Sequence, residues 1–213
     1  MHRNFTAFLI LAGALSACAS PNRETDAALA ARGLLHVDAA PPPGTAVYEQ
    51  PHWSVGDRFV YRSGGRLRVD FRVVEAGPER LVLEEAGGLR QIYSPQLAAL
   101  GEEAPGQPPR LREPADPQLH FPLWVGKRWT AELASGEQRI QVDYCCDALE
   151  QVHTPAGEVS ALRIWRRARL ADAANPFENV TLLWYAPAIG FWAQKLEDGA
   201  LLKLEEAHRQ MDN

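Results

Sequence analysis

From Arg66 to Val73 the chain reads Arg-Leu-Arg-Val-Asp-Phe-Arg-Val, polar and apolar in strict turn. Side chains of an extended chain leave alternate faces, so Leu67, Val69, Phe71 and Val73 share one face and the charges the other. The neighbouring segments continue the pattern. Arg58 to Arg62 joins this strand through Ser63-Gly64-Gly65, a hairpin signal. Ala76-Gly77-Pro78-Glu79 leads on to a strand at 80–85, and Gly87-Gly88 leads to another at 89–93. A parallel crossover needs a dozen or more residues, so links this short imply antiparallel neighbours. Pro95 to Leu100 reads as a helical turn. The stretch 101–120, with prolines at 105, 108, 109, 114 and 117, reads as a long loop.

The second half repeats the plan. Val125-Gly126-Lys127-Arg128-Trp129 echoes Val55-Gly56-Asp57-Arg58-Phe59. Each block opens a strand that runs into a Gly-containing turn, so the spacing predicts two meanders begun by the same tight turn. Gln138 to Tyr144 places Ile140, Val142 and Tyr144 on one face. Further strands are expected at 158–169, 179–185, 189–196 and 201–206, the last two joined by Glu197-Asp198-Gly199. The fold class is therefore mainly β: a curved antiparallel sheet or half-barrel of about nine to ten strands with little helix. About 150 residues can bury about 70% of their unfolded surface, enough for a core.

The N-terminus has a different character. Arg3 precedes Phe5 to Leu15, an uncharged and mostly apolar run. That run is shorter than the roughly 20 residues a membrane-spanning helix needs, and small residues follow it, as in a secretory signal peptide. Leu15-Ser16-Ala17-Cys18 resembles the lipobox of bacterial lipoprotein precursors. The resemblance implies cleavage before Cys18, a thioether-linked diacylglycerol on its sulfur and acylation of the new amino group. Several acyl chains give stable anchoring, at about 0.8 kcal/mol per buried CH₂. Ala19 and Ser20 follow, with no Asp at the retention position, so the expected location is the outer membrane, lipid-anchored and facing the periplasm. The expected organisation is a signal peptide over 1–17, lipidated Cys18 and a flexible tether over 18–50, and one antiparallel β-domain over 51–213. Within the tether, 22–35 is Ala-rich and compatible with a short helix, and Pro41-Pro42-Pro43-Gly44 cannot enter a sheet interior. Packing of this segment along the body is the alternative reading.

Around the second half, Thr154-Pro155-Ala156-Gly157, then Ala161-Leu162-Arg163-Ile164, then Trp184-Tyr185-Ala186-Pro187-Ala188-Ile189-Gly190 resemble a pattern of uncharacterised bacterial envelope lipoproteins, with Val125 to Trp129 as its upstream part. The resemblance covers about 80 residues. It implies remote similarity to the periplasmic carrier and receptor proteins of the Lol pathway, whose curved sheet wraps a hydrophobic cavity. Read from the residues alone, the same motifs are turns: Pro155 fixes φ and Gly157 permits positive φ.

No catalytic set emerges. There is no G-x-S-x-G, no H-x-x-x-H and no Gly-rich phosphate loop, so no catalytic residue, metal site or cofactor is expected. With 22 Lys and Arg against 27 Asp and Glu, the chain is mildly acidic, which argues against a nucleic-acid partner. Cys145 and Cys146 form a candidate disulfide in an oxidising compartment; a soft-metal site, or one buried and one exposed thiol, are the other readings. Arg163, Arg167 and Arg169 share a strand face with Trp165. That face suits either anionic headgroups or a solvated surface paired with neighbouring acids. Trp165, Trp184, Phe191 and Trp192 are the candidate apolar ligand-facing residues, with plain core as the alternative. The expectation is a membrane-anchored, non-enzymatic lipoprotein that binds a hydrophobic ligand or an envelope-assembly partner. A structural module without a cavity is the second reading and a hydrolase the third.

Overall fold

The computed structural model describes residues 33–64, 67–171 and 178–210. Cys18, the expected signal peptide and the first part of the expected tether lie outside the described residues. All regular structure among the described residues is β. The strands are β1 (Leu34–Val37), β2 (Arg58–Ser63), β3 (Leu67–Ala76), β4 (Leu81–Glu85), β5 (Arg90–Tyr93), β6 (Ala99–Glu103) and β7 (Arg110–Asp116), followed by β8 (Arg128–Ser135), β9 (Gln138–Thr154), β10 (Gly157–Leu170), β11 (Glu178–Ala186), β12 (Phe191–Glu197) and β13 (Ala200–His208). They form one antiparallel sheet in the order β1-β8-β9-β10-β11-β12-β13-β2-β3-β4-β5-β6-β7.

That order contains two up-and-down meanders, β2 to β7 and β8 to β13. They are joined where the last strand of the second pairs with the first strand of the other, His208 opposite Arg58. The sheet curls until β7 and β8 lie near each other. The strand order makes β7 and β8 antiparallel across this seam, but they do not pair. β1 takes the edge of β8 instead, with Val37 opposite Trp129.

Among the described residues there are thirteen strands, not nine or ten, and each of the three beyond ten has a physical reason. β6 and β7 fall in the stretch expected to be a turn and a loop. Neither has clean alternation, and Pro114 argued against a strand. An outer strand tolerates proline, because one side of its backbone has no partner to satisfy. β1 falls in the expected tether. Leu34 is buried against the core, and Tyr48 forms a bridge with Leu123, so the chain is held to the body well before residue 50.

The repeated V-G-x-R-aromatic turn is real in three dimensions. Gly56 and Gly126 have φ of 99° and 100°, a conformation that favours glycine. Gly56 N donates to Val73 O at 2.8 Å and Val73 N to Asp57 O at 2.8 Å; Gly126 N donates to Cys146 O at 2.6 Å and Cys146 N to Lys127 O at 2.9 Å. Phe59 and Trp129 then enter the core fully buried. The middle residue of each turn is a buried charge, and each ties down a different segment. Asp57 accepts from Ser54 N and Gln210 N and faces Arg209 Nε at 3.0 Å. Lys127 Nζ donates to His120 O at 2.7 Å and Pro122 O at 2.8 Å, and lies 4.4 Å from the centre of the Trp124 ring.

The interior of the curl is filled by side chains. Trp129 and Tyr144 stack with centroids 5.2 Å apart, and Phe59, Tyr61, Phe191 and Trp192 interlock across the junction of the meanders. The segment after β7 turns inward and adds Leu119, Phe121 and Leu123, with Phe121 edge-on to Tyr185. Each such side chain contributes roughly 1.5–3 kcal/mol by leaving water. A buried polar knot holds this segment. Asp116 accepts from the Tyr144 hydroxyl and pairs with Arg166 at 3.1 Å, and Trp129 Nε1 donates to Pro117 O at 2.7 Å. Burial, and then the Asp116 charge, push the Tyr144 hydroxyl well above its ordinary pKa, so it stays a donor.

β9 and β10 make the longest hairpin. Ala148 pairs with Arg163 and Cys146 with Ile164, so Asp147 is an extra residue that bends the hairpin. Its Pro155-Ala156-Gly157 tip folds back, where Ala156 N donates to Leu204 O at 3.2 Å. Val152 and Ala161 there cover Trp184, Ala186 and Ala193 in a second apolar cluster on the sheet's other face.

The turn in Trp184 to Gly190 has an equally local cause. Gly190 has φ of 76°, and a Cβ on it would collide with Arg209 Nη1. The Arg209 guanidinium needs that space to donate to Ile189 O at 2.5 Å and to His52 O. Gly190→Ala should therefore lower stability by about 1–3 kcal/mol, from the forced positive φ and the displaced guanidinium. A urea unfolding midpoint equal to that of the unaltered chain would refute this account of the turn.

Candidate functional site

The seam between β7 and β8 is concave. At one point its two sides touch: a Cβ on Gly33, beside β1, would lie 2.5 Å from the Pro114 ring of β7. Around that contact a groove of about 1290 Å³ opens between the β1–β8 side and the β4 to β7 arm. Leu34, Leu35, Ile92, Leu100 and Leu111 give it an apolar lining. Leu35 and Leu111 are 56% and 59% exposed. His120 also lines the groove, and its Nδ1 is 3.1 Å from Lys127 Nζ. An ammonium can only donate, so Nδ1 accepts and the ring carries its proton on Nε2.

The four aromatic residues expected to face a ligand do not converge. Phe191 and Trp192 lie in the interior core. Trp184 and Trp165 lie on the opposite face of β10 and β11, since Trp184 stands opposite Arg163 and Trp165 is two residues further along. Trp184 belongs to the second cluster, where its Nε1 donates to Glu150 at 2.5 Å. Trp165 sits beside the Arg167 guanidinium, 5.2 Å from its ring centre. None of the four lines the groove. On β11 alternation separates Trp184 from its neighbour Tyr185, which packs into the interior core.

The cysteine pair also differs from expectation. Cys145 and Cys146 are both free thiols and both buried, so neither the bond nor an exposed thiol is found. β9 stays extended through them, which turns their side chains to opposite faces. Cys146 occupies in the second meander the place that Val73 holds in the first, at the same hydrogen bonds to the V-G-x-R turn. Its thiol is pushed up to about 12, chiefly by burial. Cys145 is shifted upward by burial, with a hydrogen bond to the Arg128 side chain opposing. Among the described residues no group of three or more His, Cys, Asp or Glu could hold a metal ion.

The basic strand is neutralised by its neighbours. Arg163 pairs with Asp147 at 2.9 Å, Arg167 with Glu178 at 2.6 Å and Arg169 with Asp143 at 3.2 Å. This is the solvated reading of that face, with its charges met by adjacent acids.

The groove was not read from the sequence. Apart from Ile92, in the expected strand at 89–93, its apolar residues come from segments assigned to a tether, a turn and a proline-rich loop. The available signal was Leu34-Leu35 and Leu111, large apolar residues in stretches otherwise polar or proline-rich.

No family model matches the chain, and no curated protein matches it. Among solved structures, it is similar to the hypothetical lipoprotein YmcC from Escherichia coli K12, at 9% identity over 76% of this chain and 91% of that one, with a TM-score of 0.47. A protein of Bacteroides fragilis described as exported and YmcC-like in fold is similar at 11% identity, over 77% of this chain and 100% of that one, with a TM-score of 0.37. One from Parabacteroides distasonis described as a lipoprotein is similar at 10% identity, over 76% and 100%, with a TM-score of 0.39.

Free, buried, protonated thiols make a definite prediction. In a Cys18→Ser chain purified without reductant, a maleimide reagent at neutral pH should label neither remaining cysteine until the protein is unfolded, and then both. An unfolded chain that yields two thiols only after reduction would establish the disulfide instead.

Proposed function

We propose that this protein is a lipid-anchored envelope protein that binds, without catalysis, an apolar ligand or partner segment in the seam groove. The groove carries the reading: it is apolar, open and adjacent to exposed leucines, whereas the interior of the curl is filled. A filled interior does not favour a carrier that encloses its cargo, as the Lol resemblance would imply. It favours recognition at the surface, where two unpaired sheet edges meet. The envelope location rests on the charged start, the short apolar run and Leu15-Ser16-Ala17-Cys18. The outer membrane is the proposed destination because Ala19 and Ser20, with no Asp, follow Cys18.

Two measurements test this. Nile red, an uncharged solvatochromic dye, should bind the full chain, and Leu35→Asp with Leu111→Asp should weaken binding roughly thirtyfold, since each side chain contributes about 1 kcal/mol of apolar burial. Both positions are exposed, so folding should survive, as the unfolding midpoint would verify. Unchanged dye affinity in a folded double variant would remove the groove from the proposal. Separately, a palmitate analogue fed to the producing bacterium should label the protein, and Cys18→Ser should abolish the label. Label retained in that variant would overturn the anchor.

A further inference from the structure

Side-chain alternation on β7 separates the charges that meet the groove. Leu111 and Glu113 share one face of this strand, and Arg110 and Arg112 the other. Burial raises the pKa of the Tyr93 hydroxyl and the Arg112 charge opposes it, so Arg112 faces the core side, where Tyr93 packs. On the Leu111 side the nearest charge of β7 is therefore the Glu113 carboxylate. Leu111 is 59% exposed, and Glu113, also exposed, has no ion-pair partner among the described residues. Two residues of extended chain set Leu111 and Glu113 about 7 Å apart. β7 pairs with β6 at Arg110 and Leu111 and next at Asp116, so the stretch between offers no regular ladder to an added strand. A compact ligand suits this wall better than a polypeptide.

The other charged residues of the groove leave the same sign. Its walls carry Glu79, Glu103, Glu113 and Glu132 against Arg80 and Arg112. Arg80 donates to Glu75 at 2.6 and 2.7 Å and is thereby committed outside the groove. Glu103 shares Arg90 with Glu84, and Glu132 faces Arg139 at 3.8 Å. Those outside partners, Glu75 and Glu84 against Arg90 and Arg139, cancel one another, so the acidic excess of the walls remains. A concave wall of this sign attracts cations and repels carboxylates and phosphates. The exposed leucines beside it take apolar surface.

We infer that the groove takes a cationic amphiphile, a molecule with an apolar chain and an ammonium head that bears neither phosphate nor carboxylate. This deepens the proposed function and rests on its reading of the groove as the binding site. The chain lies on the apolar lining with Leu111, and the head meets Glu113. At about 1290 Å³ the groove exceeds the roughly 300–1,000 Å³ of ordinary small-molecule sites, so chain length is not the limit. Selection comes from the head: an anionic amphiphile of the same length meets the same leucines but sets its charge against the carboxylates.

The test uses the full-length Cys18→Ser chain, so that no attached lipid competes for the groove. Octylammonium, octan-1-ol and octanoate share one chain length and differ in head charge. Each is titrated while the amide NMR shifts of Leu35 and Leu111 are followed. Octylammonium should bind roughly tenfold more tightly than octanoate, with octan-1-ol between them. Glu113→Gln should narrow that ratio roughly threefold, whereas Glu158→Gln, at the exposed tip of the β9–β10 hairpin, should leave it unchanged. Both residues are exposed, and an unaltered circular dichroism spectrum would show each variant folded. If octan-1-ol and octanoate bind as tightly as octylammonium, this inference fails and the groove reading stands. If none of the three moves either amide, the groove reading fails and this inference with it. If the ratio survives Glu113→Gln, or falls equally with Glu158→Gln, the Glu113 carboxylate does not select the head and the inference is wrong.

Discussion

The Asp116 carboxylate decides the shape of this molecule. It stands at the end of β7, at the far edge of a thirteen-stranded sheet, yet it is buried and held by Tyr144 and Arg166 from β9 and β10. That contact reaches across the curl rather than along it. An unpaired carboxylate in that place would cost several kcal/mol, and a broken buried ion pair typically costs about 3–5 kcal/mol. The sheet is therefore under strong pressure to bring its two ends together. The segment following Asp116 is drawn inside, where Leu119, Phe121 and Leu123 complete the core that the strands alone leave open.

The two buried charges of the repeated turn extend the same logic. Asp57 and Lys127 occupy equivalent positions, have opposite sign and fasten different pieces of chain. Asp57 fastens the end of the second meander to the start of the first. Lys127 fastens the inward segment between them. Removing one partner of a buried charge pair is strongly destabilising, because the other charge is left uncompensated. With both junctions fixed, the seam between β7 and β8 is the place where the ring is incomplete. β1 covers the edge of β8 there, and the groove is the space that remains.

Most of the fold was legible wherever alternation was clean. The segment from Arg66 to Val73, the Gly-containing turns and the paired V-G-x-R blocks led to antiparallel meanders, and in the structure both V-G-x-R turns make the same pair of hydrogen bonds. Legibility ended at the edges. β1, β6 and β7 are short or interrupted, and one side of the backbone of β1 and β7, the two outermost, has no strand partner among the described residues, so these sequences carry little periodic signal. The groove is built from those strands and shared their obscurity. The aromatic residues drew attention because they are large, but their burial reflects ordinary packing on two faces. Cys145-Cys146 drew attention because it is rare, whereas in the structure Cys146 is the counterpart of the core residue Val73.

The early docking of β1 has a consequence for distance. With Gly33 fixed at the lip of the groove, only the residues between it and Cys18 separate the body from a lipid on that cysteine. Fully stretched, such a chain spans at most about 50 Å. The groove of an acylated molecule thus stays within that radius of the bilayer surface, and whatever reaches it must come to the membrane to be met.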